Sequence, residues 1–455
     1  MDHFTFRDGK LFAEEVPVAE IAARFGTPTY VYCAATLRDH VGKLKAAFAP
    51  LSPRLCFAVK CCSNLGVLKV LSQAGCGMDV VSGGELYRAL LVGVSPADIV
   101  YAGVGKTVPE IRMALGERTG MEVGRGVGRE VERGIMRLPE GPISCFNIES
   151  EQELAAIAEQ ARLMGVRANA AVRVNPGVRA GGHEYITTAH DESKFGLPVV
   201  QAEALVKRFA DDKHVRVRGL HMHIGSSITQ PELYVTAVER MVAMIDRLAE
   251  AGVVIDSLDL GGGFAADYKT GDAPAPQRFA EAIVPLLAAK VAAGLKITIE
   301  PGRMVAANAG ILLSRVLYTK QTGTRKFLIV DAGMHTLLRP ALYEAFHFIW
   351  PASVSPQHEA KVRTEHPDLP GLEACDVVGP VCETGDFLAQ QRLLPPVAPG
   401  ELLAIFAAGA YGMSMASRYN SHPLPAEVLV DGETVEMVRR REVLGDLVEH
   451  ELGGL

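Results

Sequence analysis

Cysteine is thinly spread in this chain, and its pattern excludes two classes at once. The eight cysteines include no CxxC or CxxH spacing, and Cys61 and Cys62 are neighbours, a layout that suits neither a zinc site nor a disulfide framework. A basic excess is also missing. The net charge of −7 leaves no electrostatic footprint for nucleic acid or for an anionic membrane surface. No uninterrupted apolar run reaches the length of a membrane span. The opening residues, Met1-Asp-His-Phe-Thr-Phe-Arg-Asp-Gly-Lys10, lack the apolar segment of a secretory signal. The expectation is a soluble cytoplasmic protein with reduced thiols and no nucleic-acid or membrane partner.

What is present is ample apolar material, 48% of 455 residues, enough for a barrel-sized domain and a second one. The most telling stretch is Ser257-Leu-Asp-Leu-Gly-Gly-Gly263. Leu258 and Leu260 read as a short buried strand, and consecutive glycines cannot serve to pack a core. They suit positive φ and a close approach of backbone N–H groups to a ligand. Lys296-Ile-Thr-Ile-Glu-Pro-Gly-Arg303 repeats the design. Adjacent strands ending in glycine and arginine resemble the phosphate cradle after the last two strands of a (β/α)8 barrel.

Earlier strands fit the same reading: Leu55–Lys60, Met78–Ser82, Ile99–Gly103, Cys145–Ser150, Ala168–Asn175 and Val217–Gly225. Helical periods run between them, as in Glu151 to Met164 and Pro231 to Ala251. Ser82 with Glu85, Thr107 with Glu110, Ser150 with Glu153 and Thr229 with Glu232 match the capping-box pattern just past a strand. The spacing predicts an α/β fold, a (β/α)8 barrel over residues 36–310. Residues 311–455 lose the helical period and show short β-like runs at 326–330, 376–378, 401–406 and 426–430, a second, mostly β domain that residues 1–35 join. The Gly-, Arg- and Glu-rich stretch 116–141 and the proline-rich 350–370 read as loops.

Chemistry is expected at the strand ends. Lys60 closes a buried strand, where desolvation would make its amine a Schiff-base candidate; a lysine snorkelling at a barrel rim is the plainer reading. His221 and His223 share a strand and suit core packing, substrate contact or a metal pair. With Glu300 as the one convincing further ligand at the strand ends, no metal is expected. Glu300 could be an ordinary partner of Arg303, or could hold a protonated pyridine nitrogen. A Schiff-base lysine, a phosphate cradle and a pyridinium partner together are the requirements of pyridoxal phosphate.

Phe57-Ala-Val-Lys60, Asp79-Val-Val-Ser-Gly-Gly-Glu-Leu86, Ala102-Gly-Val-Gly-Lys-Thr107, His223-Ile-Gly-Ser226, Leu258–Gly263, Glu300-Pro-Gly-Arg303, Arg339-Pro-Ala-Leu-Tyr343, Gly379-Pro-Val-Cys-Glu383 and Gly409-Ala-Tyr-Gly412 resemble the diaminopimelate decarboxylases. The resemblance spans the chain. It implies an alanine-racemase-like barrel with a C-terminal β domain, pyridoxal phosphate as cofactor, an amino-acid substrate, and a homodimer with shared active sites. Lys60 would be the Schiff-base lysine, His223 would stack on the pyridine ring and Glu300 would bind its nitrogen. Ser226, Gly261, Gly262, Gly263, Gly302 and Arg303 would surround the phosphate or its neighbourhood. Arg303, Arg339 and Tyr343 would hold the substrate's distal carboxylate, Glu383 its distal ammonium, and Tyr411 would touch cofactor and substrate. Cys382 would be the proton donor, entering with Glu383 from the partner subunit.

The substrate residues make chemical sense, because a distal zwitterion needs both a carboxylate reader and an acid, and a bidentate arginine is the natural reader. Cys61-Cys62 after the lysine and Ser227 after the His-Ile-Gly-Ser motif depart from the usual pattern. They are compatible with a relative acting on a modified or carrier-bound amino acid. A metal-dependent barrel hydrolase and a non-catalytic cofactor-binding protein are the readings from other classes; the second leaves Cys382 and Arg339 unexplained.

Overall fold

The computed structural model describes residues 2–117, 138–178 and 194–452, so most of the stretch 116–141 lies outside the described residues. The chain forms two compact units. One comprises Lys43–Phe264 and Ala275–Pro301, the other Met1–Gly42, Ala265–Pro274 and Gly302–Leu455.

The first unit is the expected barrel. Its strands are β1 (Arg54–Ala58), β2 (Gly77–Val80), β3 (Ile99–Tyr101), β4 (Cys145–Ile148), β5 (Ala168–Asn175), β6 (Val215–His221), β7 (Ser257–Asp259) and β8 (Lys296–Ile299). All neighbours pair in parallel, and the ring closes where Thr298 and Ile299 of β8 face Arg54 and Leu55 of β1. Gly77–Val80 and Ile99–Tyr101 are buried throughout, as parallel strands covered on both faces are, whereas β6 begins and β8 runs with alternating burial. The helix Glu232–Glu250 shows the complementary pattern, burying Tyr234, Ala237, Val238, Met241, Met244, Ile245 and Leu248 at helical spacing.

Three of the four expected helix starts carry their caps. Ser82 and Ser150 Oγ accept the N–H groups of Glu85 and Glu153, each at 3.2 Å. The Glu110 carboxylate accepts from the Thr107 N–H at 2.9 Å and hydroxyl at 2.7 Å. Thr229 and Glu232 form no such box, because Pro231 is already in helical conformation and itself starts the turn.

The second unit is built on Gly310–Thr322, a thirteen-residue strand that the sequence reading missed because its apolar first half gives way to Tyr-Thr-Lys-Gln-Thr. It pairs with Thr29–Cys33, Arg325–Val330 and Leu402–Ile405. Thr29–Cys33 is wholly buried and also pairs in parallel with Ala426–Asp431, so the N-terminal segment does join the β domain. Phe387–Leu394 and Thr434–Arg439 are further strands not foreseen. The proline-rich loop begins with one too, Ile349–Pro351, where Trp350 is fully buried.

Beneath the glycine turn after β7 lies an aromatic cluster in the barrel unit. Tyr234 stacks on Phe264 with centroids 5.2 Å apart, and Phe279 meets both rings edge-on at 5.8 and 5.1 Å. The Tyr234 hydroxyl donates to the Gly262 carbonyl at 2.7 Å, tying the turn to the core. Tyr234→Phe strands that carbonyl in a dry site and should lower stability by about 1–3 kcal/mol, whereas Phe279→Ala should cost about 3–5 kcal/mol. Denaturant unfolding of the three proteins checks the order.

Candidate active site

Lys60 stands just past β1, in the short turn Val59–Cys61. Its side chain is 33% exposed, and its Nζ donates to Asp79 Oδ2 on β2 at 2.7 Å. The strand's apolar run suggested a desolvated amine; the side chain is instead part-exposed and hydrogen-bonded to a carboxylate. Asp79 Oδ1 is buried with no hydrogen-bond partner among the described residues. Burial and the nearby Glu300 charge push the Asp79 carboxyl up to about 6, against the pull of Lys60.

Glu300 follows β8 and sits at the centre of a buried polar cluster. Its Oε1 accepts from Asn147 Nδ2 of β4 at 2.9 Å, and its Oε2 lies 3.3 Å from His221 Nε2 at the end of β6. Burial alone would raise this carboxyl, yet the His221 ring and the Lys60 charge hold it below the ordinary range. His221, Asp259 and Glu300 offer ligand atoms all within 4.8 Å of one another, a grouping that sequence spacing did not reveal. His223 lies beyond the strand rather than on it. Its Nδ1 accepts from the Gly262 N–H at 3.2 Å, so the ring proton belongs on Nε2. Burial, with the Arg173 and Lys60 charges, holds the imidazole well below its usual range and therefore neutral.

The glycine turn is tighter than a simple cradle. Gly261 and Gly263 have φ of 66° and 109°, where a side chain is strained. A Cβ at Gly261, Gly262 or Gly263 would strike the Met222, Glu300 or Gly225 carbonyl oxygen respectively. Glycine is therefore needed first to let the ends of β6, β7 and β8 converge. Ser226 is half-buried beside that convergence.

The second unit holds a cationic cluster of its own. Arg303 donates to the Tyr268 hydroxyl at 2.8 Å and lies over the Tyr411 ring at 4.7 Å. Arg339, 7% exposed, lies over the Tyr268 ring at 4.6 Å and donates to His347 Nε2 at 2.9 Å. His347 in turn donates from Nδ1 to the Phe406 carbonyl, and burial with the Arg339 charge lowers it to about 3. The Arg339 Nε has no hydrogen-bond partner, and no carboxylate pairs with the guanidinium, among the described residues. Tyr268 and His347 went unnoticed in the sequence, since neither belongs to a recognisable motif.

Tyr343 closes the helix Arg339–Tyr343 that carries Arg339. Cys382 and Glu383 are exposed on a separate loop. The Cys382 N–H donates to Asn420 Oδ1 at 2.7 Å, and the Tyr419 hydroxyl donates to Glu383 at 3.3 Å. Buried Asp386 braces the loop by accepting from the Met334 and Val381 N–H groups. Asn420, at φ 53°, and Asp386 were not foreseen as loop supports.

Asp79 generates a pH test. Its folded value is raised above the ordinary carboxyl value near 3.9, so its contribution to stability is full below about 4 and is lost as pH rises through about 6. Wild-type stability relative to Asp79→Asn should therefore fall between these pH values; parallel denaturant curves at the two ends measure the difference.

Known proteins resemble the whole chain. The profile of the pyridoxal-dependent decarboxylases, pyridoxal binding domain, matches residues 34–307. The diaminopimelate decarboxylase of Pseudomonas aeruginosa is 44% identical, covering 98% of each chain; that of Haemophilus influenzae is 40% identical with the same coverage. Among solved structures, the Helicobacter pylori diaminopimelate decarboxylase complexed with L-lysine has a TM-score of 0.83 at 33% identity, covering 96% of this chain and 100% of its own. The M. jannaschii enzyme in co-complex with L-lysine reaches 0.85 at 33% identity over 99% and 98%. The barrel, its lysine and glutamate strand ends and these full-length matches agree: the chain belongs to the pyridoxal-dependent decarboxylases, within the diaminopimelate decarboxylase family.

Proposed function

We propose that the protein releases carbon dioxide from meso-2,6-diaminopimelate to form L-lysine, using pyridoxal phosphate in a homodimer with shared sites. The residues fit that cofactor. Glu300 is an ionised carboxylate suited to a ring nitrogen, His223 is a neutral, half-buried ring suited to stacking, and Lys60 is a reachable amine. The Gly261 and Gly262 N–H groups are engaged by Asp259 and His223. The phosphate would accordingly fall to Gly263, Ser226, Gly302 and Arg303.

The electron sink for the pair left by departing carbon dioxide is supplied by pyridoxal phosphate when bound. Lys60 would hold the cofactor, and Asp79 keeps its Nζ oriented. Glu300 would keep a proton on the ring nitrogen, which is what makes the sink effective. Tyr411 would touch both cofactor and substrate. The Cys382 thiol would deliver a proton to the carbon that lost its carboxylate.

The observation that carries the substrate assignment is Arg339, a buried guanidinium held by Tyr268 and His347 with no carboxylate partner among the described residues. A buried cation in that state is costly, and a substrate's distal carboxylate would balance it. Arg303 and Tyr343 would join that contact, and Glu383 would take the distal ammonium. Arg339→Lys keeps the charge but loses the planar fork. It should cut kcat/KM for meso-diaminopimelate about 10- to 100-fold while leaving cofactor affinity nearly unchanged; unaltered kinetics would place the carboxylate reader elsewhere.

The shared site has a test of its own. Lys60→Ala should be nearly inactive and should lose the visible absorbance of the bound cofactor, and Cys382→Ala should be slower by about a hundredfold. Refolded together in equal amounts, they form about half mixed dimers, each with one fully intact site, so roughly a quarter of wild-type activity should return. No recovery, with subunit exchange verified, would assign both residues to one chain's site.

A further inference from the structure

The buried cluster around Glu300 contains one carboxyl more than the proposed chemistry uses. Asp259, the last residue of β7, is 5% exposed and Glu300 3%, and their oxygens fall within the same 4.8 Å grouping as the His221 ring. Two carboxylates so close and so dry cannot both ionise. The donors decide which one keeps the proton. Glu300 receives Asn147 Nδ2 at 2.9 Å on one oxygen and faces His221 Nε2 on the other. Among the described residues, Asp259 Oδ1 receives only the Gly261 N–H at 2.9 Å, while its Oδ2 is 3.5 Å from Asn147 Nδ2, too long for a strong bond.

Among the described residues no cation forms an ion pair with Asp259, and Arg216, which shares its cavity, is paired with Asp256. Asp79 is a second buried acid, and Lys60 is committed to it. The Cys56 and Cys145 thiols also lie near, and burial pushes both up, so they stay neutral and offer it no charge. Burial and the Glu300 charge drive the Asp259 carboxyl well above its ordinary range.

We propose that Asp259 stands as a neutral carboxylic acid that donates its proton in a hydrogen bond to ionised Glu300, and is the positioning residue for that carboxylate. It thus fixes the Glu300 oxygens without adding a second negative charge. Asp259 and Asn147 also line a cavity of about 650 Å³ at the strands' N-terminal mouth, with Arg54, Arg216 and Lys296 among its walls. The protonation claim concerns the protein alone; its value to catalysis rests on Glu300 serving the ring nitrogen.

Infrared spectroscopy of the cofactor-free protein tests it at pH 8, where Asp79 at about 6 and Glu85 at about 7 are mostly ionised. A protonated-carboxyl stretch should shift with carbon-13 in aspartate side chains, stay put with labelled glutamate, move in D2O, and vanish in Asp259→Asn. Glu300→Gln removes the neighbouring charge and should make the same band titrate lower by about a pH unit or more, an assignment that needs no folded Asp259 variant. Asp259→Asn retains a neutral N–H donor and should bind pyridoxal phosphate within about threefold of wild type, whereas Asp259→Ala should bind about tenfold more weakly. A band that follows glutamate labelling and disappears in Glu300→Gln would put the proton on Glu300 and overturn the proposal. So would the absence of any band lost in Asp259→Asn, equal weakening by both Asp259 variants, or stoichiometric zinc uptake that Asp259→Asn abolishes. If the infrared assignment holds while neither variant changes cofactor affinity, the proton stands on Asp259 and the role of Glu300 at the ring nitrogen is what fails.

Discussion

A charged carboxylate enclosed in an apolar barrel is the constraint to which the strand ends answer. Glu300 is buried away from bulk solvent, and protein donors reach it from the walls: the Asn147 amide from β4 and the His221 ring from β6. Each donor is delivered by a different strand, and its direction is set by the pairing of the ring. A barrel is well suited to this, because it converges many short strands on one axis. The Lys60–Asp79 pair from β1 and β2 repeats the solution for a cation at the rim.

The second unit shows the same economy with the opposite sign. Arg339 is buried where aromatic faces and a neutral histidine replace a carboxylate. Cation–π contacts compensate a guanidinium only in part, and a lowered histidine offers a lone pair rather than a charge. Such an environment holds the planar fork in one orientation while leaving its charge unbalanced. That combination favours a ligand which brings its own carboxylate.

Much of this was legible in the chain because the signals were local. Alternating βα units, three of the serine or threonine caps, and the Lys60, Glu300 and triple-glycine strand ends all declare themselves within a few residues. What escaped has a common cause. Tyr268, His347, Asn420 and Asp386 act through partners distant in sequence, and nothing in their immediate neighbours marks them. Gly310–Thr322 was missed because a strand with one end buried and the other exposed carries no single period. The glycine turn was recognised for its freedom of φ, but its need to admit neighbouring carbonyls is a property of three converging strands. The Lys60–Asp79 pairing escaped for the same reason, since Asp79 lies on the next strand.

The burial of Thr29–Cys33 between Gly310–Thr322 and Ala426–Asp431 has a consequence for how the protein is made. During synthesis this strand emerges before the barrel, and it waits for partners encoded after the barrel. The barrel's strands all lie between Arg54 and Ile299 and can pair while the remainder is still being translated. The β unit cannot close until its last third exists. During that interval an apolar strand with open edges is exposed to other nascent chains, a state prone to mispairing. Its long-range closure is slow by topology alone. A chain cut short before Ala426 therefore leaves the Thr29–Cys33 strand without one of its two neighbours.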